Sequence, residues 1–304
     1  MAANKKQIKL NPNITKAVKL SAPKQADRLQ IFNFTLYKSY FFANLKVCLI
    51  MGLFIWALTV LAPVISKNAF SALGVSLPIN ATYYIEFSII NQMIITTILY
   101  ICFIVFATNN ILCAQVDRGS MAYTLSAPIK RTTVTNTAIL YLASILFVMF
   151  TIQMFLHLIF NGNYSLFGQV LAVYLLNYLY FLSLAAICFL FSCYFNLSKY
   201  YFACALGICF YFFMTYFVHY VTNSLYAAGE NPFEFLKYIS LQSLIGNGIF
   251  GYILGVQPGP GGSGVDFVSS DQWVVICAYI VLILVPIGGF IGGSFLFKNK
   301  DLPL

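Results

Sequence analysis

Two histidines, His157 and His219, and eight cysteines are the main material this chain offers for acid–base, thiol or metal chemistry. Their spacing assigns none. No H-E-x-x-H or C-x-x-C string occurs, and no G-x-x-x-x-G-K-[ST] loop could cradle nucleotide phosphates. The densest mixture of reactive types is Gln115, Asp117, Arg118, Gly119 and Ser120, followed by Met121, Tyr123 and Leu125. A charged pair beside apolar residues is a binding pattern, with charge for register and apolar side chains for buried contact area. The bland alternative is an ordinary amphipathic surface loop. Four further polar residues, Asn91, Gln92, His157 and Asn177, stand inside apolar stretches. They either line a polar pathway between two subunits or hydrogen-bond between helices within one. No catalytic residue and no metal site is assigned.

The elements that must position these residues are membrane spans. The chain is 61% hydrophobic and 8% charged, against roughly 25% charged in soluble domains. Crossing a hydrocarbon core of roughly 30 Å takes about 20 apolar residues as a helix. Six uncharged stretches qualify: 47–65, 87–112, 134–160, 167–195, 200–221 and 273–297. Backbone groups in lipid must be paired within the segment, so an all-α fold is expected. A β-barrel would show alternating segments of about 10 residues, which this chain lacks.

Charge sets the orientation. With both termini inside, fifteen of the seventeen Lys and Arg lie on the inner side, leaving Lys67 and Lys237 outside. Five of the eight carboxylates lie outside. That is the positive-inside pattern, and the basic balance therefore speaks of topology and anionic lipid rather than nucleic acid. Ile239–Val256 is apolar enough for a seventh span, but a seventh crossing would put Lys298 and Lys300 outside. A re-entrant or interfacial hairpin on the outer face suits it better.

Residues 1–28 read as a basic cytoplasmic tail, and 29–304 as the membrane domain. Leu29, Phe32, Leu36, Tyr40 and Phe41 recur at helical spacing, which predicts an interfacial amphipathic helix before span one. Span two is expected to finish at Asn109–Asn110, and a short helix along the inner surface to end at Ser126-Ala127-Pro128. Gly288, Gly289, Gly292 and Gly293 allow another helix, in this chain or a partner, to approach span six closely. Seven of the eight cysteines fall within spans and Cys113 at a span boundary, where they read as small packing residues.

Together these parts resemble the ABC-2 type permeases of bacterial ABC transporters. The match is carried by Asp117-Arg118-Gly119-Ser120-Met121-Ala122-Tyr123-Thr124-Leu125-Ser126-Ala127-Pro128-Ile129-Lys130-Arg131 and by the short basic end Phe297–Leu304. Family members often carry Glu where this chain has Gln115. The resemblance implies a bacterial cell-membrane permease that is not itself an enzyme. It would pair with a second permease subunit, as homo- or heterodimer, and with separate ATPase subunits that bind ATP and Mg. The helix after span two would be the ATPase-coupling element, through Gln115, Asp117, Arg118, Gly119, Ser120, Met121, Tyr123 and Leu125. The segment Phe233–Leu254 would be an outer re-entrant pair. Uncharged spans suit export of a hydrophobic or amphipathic solute such as a lipid, peptide or drug, because proton relays need ionisable groups in the membrane. Two other classes stay open. An intramembrane protease is suggested by Gly261-Gly262-Ser263-Gly264, although that string lies in a Pro/Gly-rich outer loop; a membrane scaffold or immunity protein is the other.

Overall fold

Helix α1 starts at a cap built by two segments far apart in sequence. Asn33 Oδ1 accepts the Leu36 N–H at 3.1 Å, pairing one of the orphan donors of a helix start, while the Asn33 N–H donates to Thr137 Oγ1 at 3.2 Å. The computed structural model describes residues 31–72, 96–126, 129–161, 167–225, 235, 239–245 and 272–300. Its long helices are α1 (Phe34–Ala72), α2 (Thr96–Asp117), α4 (Arg131–Asn161), α5 (Phe167–Tyr194), α6 (Ser198–Leu225) and α7 (Gln272–Asn299). The short α3 (Met121–Ser126) joins α2 to α4. All six long helices are long and apolar enough to cross a membrane, so the chain is an all-helical, multi-pass membrane protein.

One expectation is corrected. Among the described residues no separate interfacial helix precedes span one: Phe34–Ala72 is a single helix of 39 residues. At 1.5 Å per residue it is about 58 Å long, roughly twice the hydrocarbon core. The apolar spacing that suggests an interfacial helix is instead the face α1 packs on α4. Tyr40 and Asn44 are buried there, Tyr37 Oη and Ser144 Oγ lie 2.8 Å apart, and Trp56 Nε1 donates to Met149 O at 3.5 Å. Both helices therefore run in the same direction.

Hydrogen bonds gather one end of every span together. Asp117 at the end of α2 meets Ser198 at the start of α6. Lys300, just past α7, meets Phe195, just past α5, and Arg131 at the start of α4 meets Lys298 and Lys300. Since α6 starts and α7 ends at this end, the last described turn of α6 and the first of α7 lie at the far end together. Between them in sequence, residues 239–245 are described, with a 3₁₀ turn at Leu241–Ile245. Ser240 Oγ donates to Phe212 O at 2.8 Å, and Tyr180 Oη to Gln242 Oε1 at 3.4 Å. Tyr180 and Phe212 each lie about 20 Å along their helices, so this turn dips halfway into the bundle. Non-helical backbone at that depth must be enclosed by protein, and Ser240, Gln242 and Ile245 are buried.

Helix α5 mends the backbone of both neighbours. Pro286 in α7 has no N–H for Leu282 O, and Ser183 Oγ of α5 lies 3.2 Å from that carbonyl, its one hydrogen shared between it and Leu179 O of α5 at 2.8 Å. Helix α2 passes through a π-turn at Asn109–Cys113. There Ser192 Oγ donates to Thr108 O at 3.1 Å and accepts the Cys113 N–H at 3.1 Å, bridging the widened turn. Span two therefore continues past the asparagines where it was expected to stop.

The close-approach glycines of α7 serve the same contact within this chain. A Cβ on Gly289 would lie 2.9 Å from Ala186 Cβ, and one on Gly293 2.7 Å from the Phe189 ring; one on Gly288 would meet nothing within 4 Å. Gly293→Ala should therefore destabilise the purified protein by about 1–3 kcal/mol through overpacking. Gly288→Ala should stay within about 0.5 kcal/mol of the parent. Thermal unfolding in detergent compares the two.

Candidate functional site

The inner loop is built on a helix terminus. Arg118 N–H donates to Ala114 O at 3.1 Å and Gly119 N–H to Val116 O at 3.0 Å, closing the last turn of α2. Gly119 has φ +71°, the left-handed conformation that reverses the chain and that a β-branched residue adopts only with strain. Ser120 Oγ then donates to Gln115 O at 3.2 Å. The Gly119-Ser120 pair thus terminates α2, and Gln115 takes part through its backbone carbonyl.

Beyond this turn, α3 lies on the bundle. Met121 is 2% exposed and joins the main core, with Leu125, one turn on, packed against it. Met121 is thus a keel that seats α3 on its own chain, because the Gly119 reversal turns this face inward. Arg118, Ser120 and Ser126 are exposed. Tyr123 lies in the helix, but its side chain is outside the described residues, as are Ala127 and Pro128. Asp117 is exposed, and its Oδ2 accepts the Ser198 N–H at 3.2 Å, placing a carboxylate at the positive end of α6. Nearby, Lys300 Nζ donates to Phe195 O at 2.7 Å, and burial holds its ammonium below the usual lysine range.

His157 and Asn177 lie elsewhere, in the far half of the bundle between α2, α4 and α5. Tyr100 stacks on Phe150 at 4.5 Å and lies 4.7 Å from Phe181, and its hydroxyl donates to Gln153 Oε1 at 2.5 Å. One turn from Gln153, the His157 ring lies 5.8 Å from that of Tyr174. Asn177 Nδ2 donates to Val173 O at 2.9 Å, while Asn177 Oδ1 and Gln153 Nε2 have no hydrogen-bond partner among the described residues. Gln153, His157 and Asn177 are all at most 1% exposed inside this one chain. The Tyr100–Gln153 pair is an interhelical hydrogen bond, and sequence reading had not singled out Tyr100, which looks like any other span tyrosine. Asn91, Gln92, Ser263 and most of Phe233–Leu254 lie outside the described residues, as do residues 1–30.

All eight cysteines are free thiols, with Cys188 and Cys209 Sγ atoms 3.8 Å apart. Among the described residues no three His, Cys, Asp or Glu converge on a point. What the inner loop can do is bind: it presents a short helix, seated by apolar residues and outwardly polar, at the basic end of the bundle.

The Gly119 geometry is directly testable. Gly119→Val should cost about 1–2 kcal/mol locally and speed proteolytic nicking between residues 114 and 130. Gly119→Asn, which tolerates the left-handed region, should leave the nicking rate unchanged. No protein-family model matches this chain, and comparison with curated proteins finds none similar to it.

Proposed function

We propose that this chain is the membrane-spanning permease subunit of an ATP-driven exporter of the ABC-2 type, working as a dimer with two separate ATPase subunits. The observation that carries this reading is α3: a helix held by Met121 and Leu125 on the basic end of a six-span bundle, with Ser126 exposed on it and Arg118 and Ser120 exposed in the turn before it. By the positive-inside pattern that end is cytoplasmic, where an ATPase would meet it. ATP and Mg belong to the partner, and this chain supplies the surface on which the partner's closure acts. Arg118 and Lys130 are exposed on that surface and provide the charge register.

A hydrophobic or amphipathic cargo fits the bundle better than a small ion. An apolar groove of about 440 Å³ opens between α2 and α6, lined by Ile98, Ile101, Cys102, Leu206, Gly207, Phe210 and Phe213. The ionisable side chains described on the spans otherwise gather near the basic end, apart from buried His157, tyrosines and thiols.

Three experiments test the reading. Arg118→Glu combined with Lys130→Glu should reduce co-purification of an ATPase from the native membrane at least about tenfold, a loss of roughly 1.4 kcal/mol. Retention of an ATPase by this pair at parental levels, or its absence from the parent, would count against the proposal. Met121→Asp should instead unseat α3 and accelerate its proteolysis. For orientation, with Cys204 and Cys277 replaced by Ala, a membrane-impermeant maleimide should label Ser263→Cys from outside and Ser120→Cys from inside only. The reverse pattern overturns the topology.

A further inference from the structure

The loop that carries α3 is anchored at both of its ends, and the two anchors are joined to each other. At its beginning, Asp117 Oδ2 accepts the Ser198 N–H at the start of α6. At its end, Arg131 Nη1 donates to Lys300 O at 2.6 Å and to Lys298 O at 3.3 Å, the last carbonyls of α7. Lys300 Nζ closes the circuit by donating to Phe195 O at 2.7 Å, the carbonyl that follows α5. Each charge has the sign its helix terminus favours: a carboxylate at a positive N-terminus, cations at two negative C-termini. Cys113 Sγ, also 3.5 Å from Phe195 O, ties the end of α2 to the same turn.

We propose that Asp117, Arg131 and Lys300 form a closed brace that makes the α3 loop, the α5–α6 turn and the end of α7 move as one body. A load on α3 then reaches spans four, five and six as well as the two spans the loop joins covalently. Without the brace, α3 keeps its seat through Met121 and Leu125 but loses its tie to the α5–α6 turn and to the end of α7. The mechanical consequence rests on the reading of α3 as the surface that receives the load; the brace itself does not. Asp117, Arg131 and Lys300 are positioning residues, since none is required to touch a partner.

The test uses the full chain in lipid nanodiscs, with Cys204 and Cys277 replaced by Ala. Nitroxides at Thr124→Cys and Leu197→Cys report the distance between α3 and the α5–α6 turn by pulsed electron spin resonance. The parent should give one narrow distribution. Asp117→Ala with Lys300→Met, which remove the acceptor and the donor, should broaden it at least twofold, and Lys300→Arg alone, which keeps a donor, should leave it narrow. A distribution as narrow in the double variant as in the parent overturns the brace, as does one already broad in the parent. No ATPase is present in this measurement, so its failure leaves the docking proposal standing. Conversely, an intact brace in a chain that recruits no ATPase would defeat the docking proposal alone.

Discussion

Hydrocarbon supplies no water to an unpaired carbonyl, so each break in a membrane helix must be repaired by a neighbouring side chain. The bundle is arranged around two such repairs, both made by α5. Ser183 serves the carbonyl that Pro286 leaves open in α7, and Ser192 spans the π-turn of α2. A hydroxyl reaches a backbone only at close quarters, and the rest of the packing follows from that closeness. Gly289 and Gly293 bring α7 onto Ala186 and Phe189, and α5 makes its most extensive contact with α7. The π-turn in turn carries α2 on to Asp117, the residue that reaches the start of α6. A straight α2 would present different residues at the loop.

Charge does two jobs at the basic end. It sets the orientation that the positive-inside pattern predicts, since Lys and Arg resist transfer across a membrane. The same residues also cap helices: Arg131 on α7, Lys300 on α5, and the opposing carboxylate of Asp117 on α6. Exposed pairs of this kind are individually weak. Here they are linked in a circuit, with Lys300 partly buried, so the geometry of one constrains the next. The basic end is therefore the face of the bundle best suited to pass a displacement from a surface helix to several spans at once.

The far half of the bundle is organised differently. Tyr100, Gln153, His157, Tyr174 and Asn177 form a buried polar layer between α2, α4 and α5, and the turn at Leu241–Ile245 enters to a similar depth. Polar side chains in a low-dielectric interior specify how helices meet, because a mismatched pairing leaves donors or acceptors unpaired. The apolar groove between α2 and α6 lies outside this layer. An amphipathic solute would thus meet an apolar flank, with the polar residues enclosed within a single chain.

Some of this was legible in the sequence, for physical reasons that are local. Length and the absence of charge fixed the number of spans, because a helix must be about 20 apolar residues long to cross and burying a charge is costly. The distribution of Lys and Arg determined which ends share a side, and the hydrogen bonds among Asp117, Arg131, Phe195 and Lys300 put those ends together. Gly119 next to Ser120 marked a turn. Other features depended on what lay opposite each residue, which no local pattern records. Tyr40 and Asn44 could belong to an interfacial helix or to span one until α4 was seen against them. Met121 and Leu125 have the spacing of a docking face and of a keel alike. Asn109–Asn110 resembles a helix end unless Ser192 arrives to bridge the turn, and Asp117 reads as a surface charge until Ser198 is beside it. The sequence alone determined how many helices are long and apolar enough to cross and which of their ends are basic; the tertiary structure decided which side chains meet, because hydrogen bonds and close packing depend on a partner distant along the chain.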